Sequence, residues 1–296
     1  GWNADYTRTP DCVIRIEPAD LATLDDRGRV TANRDGTGQV TIAFRNQTWS
    51  LPLTVNGVAH PPAVDFDRDV QPILTRFSCN AGACHGKQRG QNGFQLSLLG
   101  FDSQFDYDTL TKEGRGRRTL PSIPEASLLL TKPANQVPHG GGKRLDPKSA
   151  DWALLRRWIA AGTPRSIGSL PALKQVRIEP TEVVLARQSQ HQLRVIAEYA
   201  DGSTDDVTRL AAFQSNESAV AAVDEHGLIT AGSILGDAAV MARFQGMIAV
   251  TSVLVPHPQP VDAAEFARLP QHNVIDGLVW KRLEKLRITP SVAAGE

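Results

Sequence analysis

The chain has 296 residues, 41% of them hydrophobic, which is long enough for two or three units that each bury a core. Lysine and arginine total 32, aspartate and glutamate total 32, and the resulting net charge of zero excludes a general attraction to nucleic acid or to an anionic membrane. No apolar run reaches the length of a transmembrane segment, and three cysteines are too few for a disulfide scaffold.

Residues 1–58 read as a β module. Val40, Ile42 and Phe44 alternate with polar residues, as do Trp49, Leu51, Leu53 and Val55. The stretch recurs further along the chain. "DYTR" at Asp5–Arg8 returns as "DVTR" at Asp206–Arg209, and "LDDRGRVTA" at Leu24–Ala32 returns as "VDEHGLITA" at Val223–Ala231. "VTIAF" ending at Phe44 returns as "VMARF" ending at Phe244. In this second module, 172–256, Leu193, Val195, Ala197 and Tyr199 alternate in a strand that ends at the turn signal "ADGS". Short strands, regular turns and no helical period predict a small antiparallel sandwich. The repeated pattern resembles the bacterial Ig-like modules of surface proteins. Leu173–Asp205 precede "DVTR", but only Gly1–Ala4 precede "DYTR", so the first module is expected to lack its opening strands and the chain to be a piece of a longer protein. Cys12, aligned with Phe213, reads as a buried thiol serving as a small hydrophobe.

Residues 64–168 change character. Phe66, Val70, Ile73 and Phe77 share one helical face, with Pro72 near the helix start. A second helix is expected after an N-cap at Ser149, with Trp152, Leu155, Trp158 and Ile159 as its apolar stripe and Gly162 and Pro164 ending it. Residues 260–296 read as the start of a further helical domain.

Between the two helices lies "CNAGACHG", in which Cys79 and Cys84 are separated by four residues and His85 follows directly. Thioether attachment of haem needs two cysteines and a neighbouring histidine that can bind iron. Small residues at Ala81, Gly82 and Ala83 would let the longer loop bulge, with Gly82 free to take a positive φ. Zinc would need a fourth ligand beyond Cys79, Cys84 and His85, and a Cys79–Cys84 disulfide would leave His85 unexplained. All three readings are open on these residues alone.

The run "DVQPIL…CNAGACHGK…GQNGFQLSLLGFD…SLLL…VPHGGGKRLD…RWIAAGTP" resembles class I cytochrome c domains, and more specifically the cytochrome c-like domain of large planctomycete proteins, in which Ig-like modules flank the haem domain. "VIDGLVWKRLEKLRITPS" resembles the opening of a domain that follows it in those proteins. The resemblance implies a small helical class I cytochrome c-like domain between two Ig-like β-sandwich modules, with one covalent haem c on Cys79 and Cys84 and His85 as proximal ligand. It departs from the family at the wider cysteine spacing and at the methionine loop, which reads "VPHGGG". Both methionines, Met241 and Met247, lie in the second β module, so His139 is expected as the sixth ligand. Arg115, Arg117, Arg118, Lys143 and Arg144 are candidates to hold the propionates, against a reading as a solvated basic loop.

The function implied is electron transfer within a larger exported protein, periplasmic or at the cell surface. The expected partner is a redox protein or further domains of the same polypeptide, with no nucleic acid. The alternatives are a haem-dependent redox enzyme, or the partner of one acting on polysaccharide, and a zinc-binding surface module. No spacing in the sequence points to a hydrolase.

Overall fold

A computed structural model describes residues 7, 9, 11–25, 28–166, 168 and 170–291; Asp5, Tyr6, Arg8, Asp26 and Arg27 of the repeat lie outside them. The chain divides into two compact units, Ala4–Ala63 and the unit that begins at Val64.

In the first unit, β1 (Cys12–Glu17), β4 (Gly36–Phe44) and β5 (Gln47–Val55) form an antiparallel sheet in the order β1-β4-β5, and β2 (Ala22–Leu24) pairs with β3 (Val30–Ala32). The register aligns Ile14, Ile42 and Trp49 in one row and Ile16, Val40 and Leu51 in the next. Side chains alternate across a strand, so these apolar rows share one face. The opposite face is polar: Ser50 donates to Gln39 (2.9 Å), and Gln39 donates to Glu17 (3.3 Å). Cys12 lies opposite Phe44, whereas Phe213 lies opposite Ala242, so the ladder makes Ile14 rather than Cys12 the counterpart of Phe213. Cys12 is half-buried, not buried, because little covers the apolar face beside it.

The second unit opens with helices and loops. One wide turn at Phe66–Val70 leads into α1 (Gln71–Arg76), with Asp65 capping the start by accepting from the Arg68 amide (3.0 Å) and Pro72 in the first turn, where no amide hydrogen is needed. Then follow α2 (Ser103–Thr111), α3 (Leu128–Thr131) and α4 (Ala150–Ala160). Ser149 caps α4 by accepting from the Trp152 amide (3.2 Å), and Gly162 leaves it with φ 84°. The expected stripes meet in one core, where the Phe66 ring lies 5.7 Å from Trp158 and 5.3 Å from Tyr107. Trp158, which is buried, and Tyr107, which is half-buried, donate to the carbonyls of Pro164 (2.9 Å) and Thr163 (2.8 Å), so both rings have their polar atoms satisfied.

The sandwich comprises β6 (Leu173–Glu179), β7 (Glu182–Val184), β8 (Gln190–Gln192), β9 (Arg194–Tyr199), β10 (Thr204–Asp206), β11 (Ala212–Ser215), β12 (Ala221–Val223), β13 (Leu228–Ala231), β14 (Gly236–Phe244) and β15 (Met247–Val255). Its sheets run β10-β9-β6, β11-β14-β15-β7 and β12-β13-β8, with β7 parallel to β15. Ile178, Val195, Ala197 and Tyr199 of the first sheet share a core with Val240, Phe244 and Val253 of the second. Asp151 of α4 ties the helices to the sandwich, pairing with Arg76 and with Arg209 (3.2 Å). Beyond it, α5 (Ala263–Ala267) and α6 (Val274–Leu286) follow; α6 starts in a capping box at Asn273 and pairs through Arg282 with Asp237 (2.6 Å) and through Lys285 with Glu182 (2.6 Å). Among the described residues no helix is long and apolar enough to cross a membrane.

Candidate functional site

The loop that carries Cys79, Cys84 and His85 begins as α1 ends. The Cys79 amide donates to Leu74 O (2.8 Å), and Ser78 turns the chain with φ 59°. The left-handed residue is therefore Ser78, while Gly82 is not among the residues with positive φ. The amides of Cys84 and Gly86 both donate to Ala81 O (2.9 and 3.0 Å), and the His85 amide donates to Cys79 O (2.9 Å), closing the loop on itself. Gly86 is required here, since a Cβ would fall 2.0 Å from Asn80 O. The extra residues of the longer spacing are thus taken up in a folded turn.

His85 Nδ1 lies 3.0 Å from the Phe94 carbonyl. A carbonyl only accepts, so Nδ1 carries the proton and Nε2 presents its lone pair. The same bond fixes ring orientation, as is usual for metal-ligating histidines. Burial holds the His85 imidazole below its ordinary pKa; the Phe94 bond opposes this, and the charges of His139, Arg118 and Lys132 add to the depression. Burial, reinforced by the neighbouring Cys84 thiol, pushes the Cys79 thiol up to about 12, while the Arg144 charge works against it. His139 and Arg144, distant in sequence, are therefore electrostatic neighbours of the loop.

His139 repeats the arrangement of His85. Its Nδ1 lies 2.8 Å from Gly142 O, so that nitrogen carries a proton and donates to the carbonyl. Gly141 lets the ring lie over the turn, since a Cβ there would fall 2.9 Å from His139 Cε1. The basic candidates separate. Arg118 is buried, donates to Thr109 O (2.8 Å) and Gly93 O (2.9 Å), and stacks 4.5 Å over the Phe94 ring. It is not part of a solvated basic loop; it clamps the turn whose carbonyl holds His85. Arg115 and Arg117 are exposed, Lys143 lies 3.9 Å from Asp146, and exposed Arg144 donates to Gly141 O (2.9 Å).

Phe94 and Lys132 were not legible as site residues from the sequence. The signal for Phe94 was the turn-rich "GQNGF", in which Gly90, Asn92 and Gly93 all adopt positive φ and Gln91 bridges to Phe94. All three cysteines are free thiols, and among the described residues no three His, Cys, Asp or Glu side chains are grouped to hold a metal ion by themselves. The donors present, two thiols and an oriented imidazole with a second imidazole in electrostatic reach, are compatible in type with a c-type haem and equally with a Cys2His2 zinc set.

Residues 172–243 match the family model of the bacterial Ig-like domain (group 2). The Ig-like match takes in strands β6 to β13 and most of β14. No curated protein matches the chain. Among solved structures it is similar to the S-layer protein rSbsC(31-844), with 11% identity over 86% of this chain and a TM-score of 0.26. The chain spans 21% of that protein's length. It is also similar to the Yersinia pseudotuberculosis adhesin InvE, with 17% identity over 32% of this chain, 30% of the other, and a TM-score of 0.19.

Proposed function

We propose that residues 64–168 form a c-type cytochrome domain, similar to the cytochrome c-like domain of planctomycete proteins, that transfers electrons within a larger exported protein. The observation that carries this reading is the His85 Nδ1–Phe94 O hydrogen bond, which aims an imidazole directly after the second of two free thiols. Cys79 and Cys84 would carry the thioether bonds, His85 would be the proximal ligand and His139 the distal one. Bound there, haem would supply a one-electron redox centre. The chain's own part is to orient both imidazoles through backbone carbonyls and to hold the His85 pKa down by burial. Arg115, Arg117, Lys143 and Arg144 remain exposed donors for the propionates. The Ig-like match, a module type common in exported proteins, supports a periplasmic or cell-surface location.

The test is the intact mass and spectrum of the protein from its native host. One haem should stay attached through acid-acetone extraction, and the iron should be low-spin with a potential below that of a His/Met pair. His139→Ala should convert it to high-spin. A colourless protein loaded with zinc overturns the reading. A haem protein that is already high-spin favours the enzyme alternative, because the iron then keeps an open position.

A further inference from the structure

The loop that carries Cys79, Cys84 and His85 rests on residues 94–99 at three points. His85 Nδ1 lies 3.0 Å from Phe94 O, the Leu96 amide donates to His85 O (2.8 Å), and the Leu99 amide donates to Asn80 O (3.0 Å). Residues 95–97 belong to no helix or strand, so side chains must hold this segment in place. Arg118 holds one end, through Gly93 O and the Phe94 ring. Asp106 of α2 holds the other. It is 0% exposed and accepts from both the amide and the hydroxyl (2.8 Å) of Ser97. The same carboxylate accepts from Gln71 Nε2, at the first position of α1, and α1 leads directly into the cysteine loop. Gly100 leaves room for that amide, since a Cβ there would fall 2.5 Å from Gln71 Nε2. One side chain thus joins the helix before the loop to the segment on which the loop rests.

Core packing does not account for Asp106. Its three donors are neutral, and burial outweighs them: together with the Asp102 charge it holds the carboxyl above its ordinary 3.8, against the bonds from Gln71 and Ser97. A buried carboxylate that meets only neutral donors costs more than an apolar side chain of its size. What it supplies is a fixed geometry, because its two oxygens accept from both neighbours of the loop at once. The geometry points to Asp106 as a positioning residue for His85, acting through Ser97 on the segment whose Phe94 carbonyl orients the imidazole. This rests on the reading of His85 as an iron ligand. The hydrogen bonds, rather than the charge, do the positioning. Asparagine keeps an acceptor for the Ser97 amide, and its Nδ2 can donate to Gln71 Oε1, a buried atom without a partner, once that amide turns over. Alanine strands the Ser97 amide and Gln71 Nε2 without an acceptor.

The experiment compares the parent, Asp106→Asn and Asp106→Ala, each as the whole chain, by hydrogen exchange and by the spectrum of the bound haem. In Asp106→Ala the Leu96 and Leu99 amides should exchange about tenfold faster or more, while those of α4 keep the parent rate. The haem should stay attached through Cys79 and Cys84, but its low-spin spectrum should turn partly high-spin. Asp106→Asn should match the parent in both measurements. Ser97→Ala, which removes only the hydroxyl donor, should exchange about threefold faster at the same amides, and it carries the test if Asp106→Ala does not fold. A fully low-spin Asp106→Ala with parent exchange at Leu96 overturns the inference. So does an acceleration that extends equally to α4, which would make Asp106 a general core residue. A defect shared by Asp106→Asn also overturns it, since the charge would then be the cause. A parent without haem sinks the iron reading alone; exchange at Leu96 and Leu99 still decides whether Asp106 holds the segment.

Discussion

Strands Gly36–Phe44 and Gln47–Val55 correspond to Gly236–Phe244 and Met247–Val255, and each pair forms a hairpin of the same length with the same register. Their burial differs throughout. Val240, Phe244 and Val253 lie in a closed core, whereas Val40, Phe44 and Leu53 are half-buried. A hairpin and its register are local properties, set by alternation and the turn that closes it. Burial of the apolar face requires a second layer, and that layer comes from a different part of the chain. The core of the first unit is accordingly small: Ile16, Leu21, Ala22 and Val55.

The largest expected effect sets the two phenylalanines against each other. Phe244→Ala should destabilise β14 by about 3–5 kcal/mol, because it opens a cavity in a closed core. Phe44→Ala should cost only about 1 kcal/mol at a half-exposed site. Denaturant-dependent hydrogen exchange of β14 and β4 amides reads each sheet separately, and equal losses would mean that the first face is as well covered as the second. A smaller contrast is expected one row along. Thr251→Val removes the donor to the partly buried Pro180 O (2.7 Å) and leaves that acceptor without its hydroxyl partner, at about 1 kcal/mol. Leu51→Thr should lie within about 0.5 kcal/mol of the parent by the same measurement, since the side chain is largely in water.

The smallest effect is expected at the surface, where the copies should behave alike. Glu179 is held below its ordinary 4.5 chiefly by the hydrogen bond from Arg194, and Asp20 below its ordinary 3.8 by the one from Arg34. A depressed carboxylate stabilises above its unfolded pKa and loses that contribution as pH falls through its folded value. The β6–β9 pair should therefore weaken slightly below about pH 4.5, and the first unit slightly below about pH 4. Both steps should shrink in high salt, because both pairs are exposed. Urea midpoints of the parent, Arg194→Gln and Arg34→Gln across that range check it. A large step in one unit alone would show that its pair is shielded from solvent.

Much of this architecture was legible in the amino-acid order. The repeat predicted matching strands, the spacing of Phe66, Val70 and Ile73 predicted the opening helix, and Ser149 predicted where α4 begins. These are local regularities, repeated every two or every 3.6 residues, and a sequence carries them directly. The cluster of Cys79, Cys84 and His85 was legible because its members are neighbours in the chain. Tertiary structure alone decided the rest. The turn fell to Ser78 rather than Gly82, Arg118 left its run of basic residues for a buried stack on Phe94, and His139 came within electrostatic reach of His85. The same distinction separates the two β modules: their alternation is written in each strand, but whether Leu51 or Thr251 ends up in water depends on a second sheet. Contacts across long sequence separations with backbone carbonyls or a facing layer leave no periodic trace, because any residue can supply a carbonyl and only the folded chain brings it near.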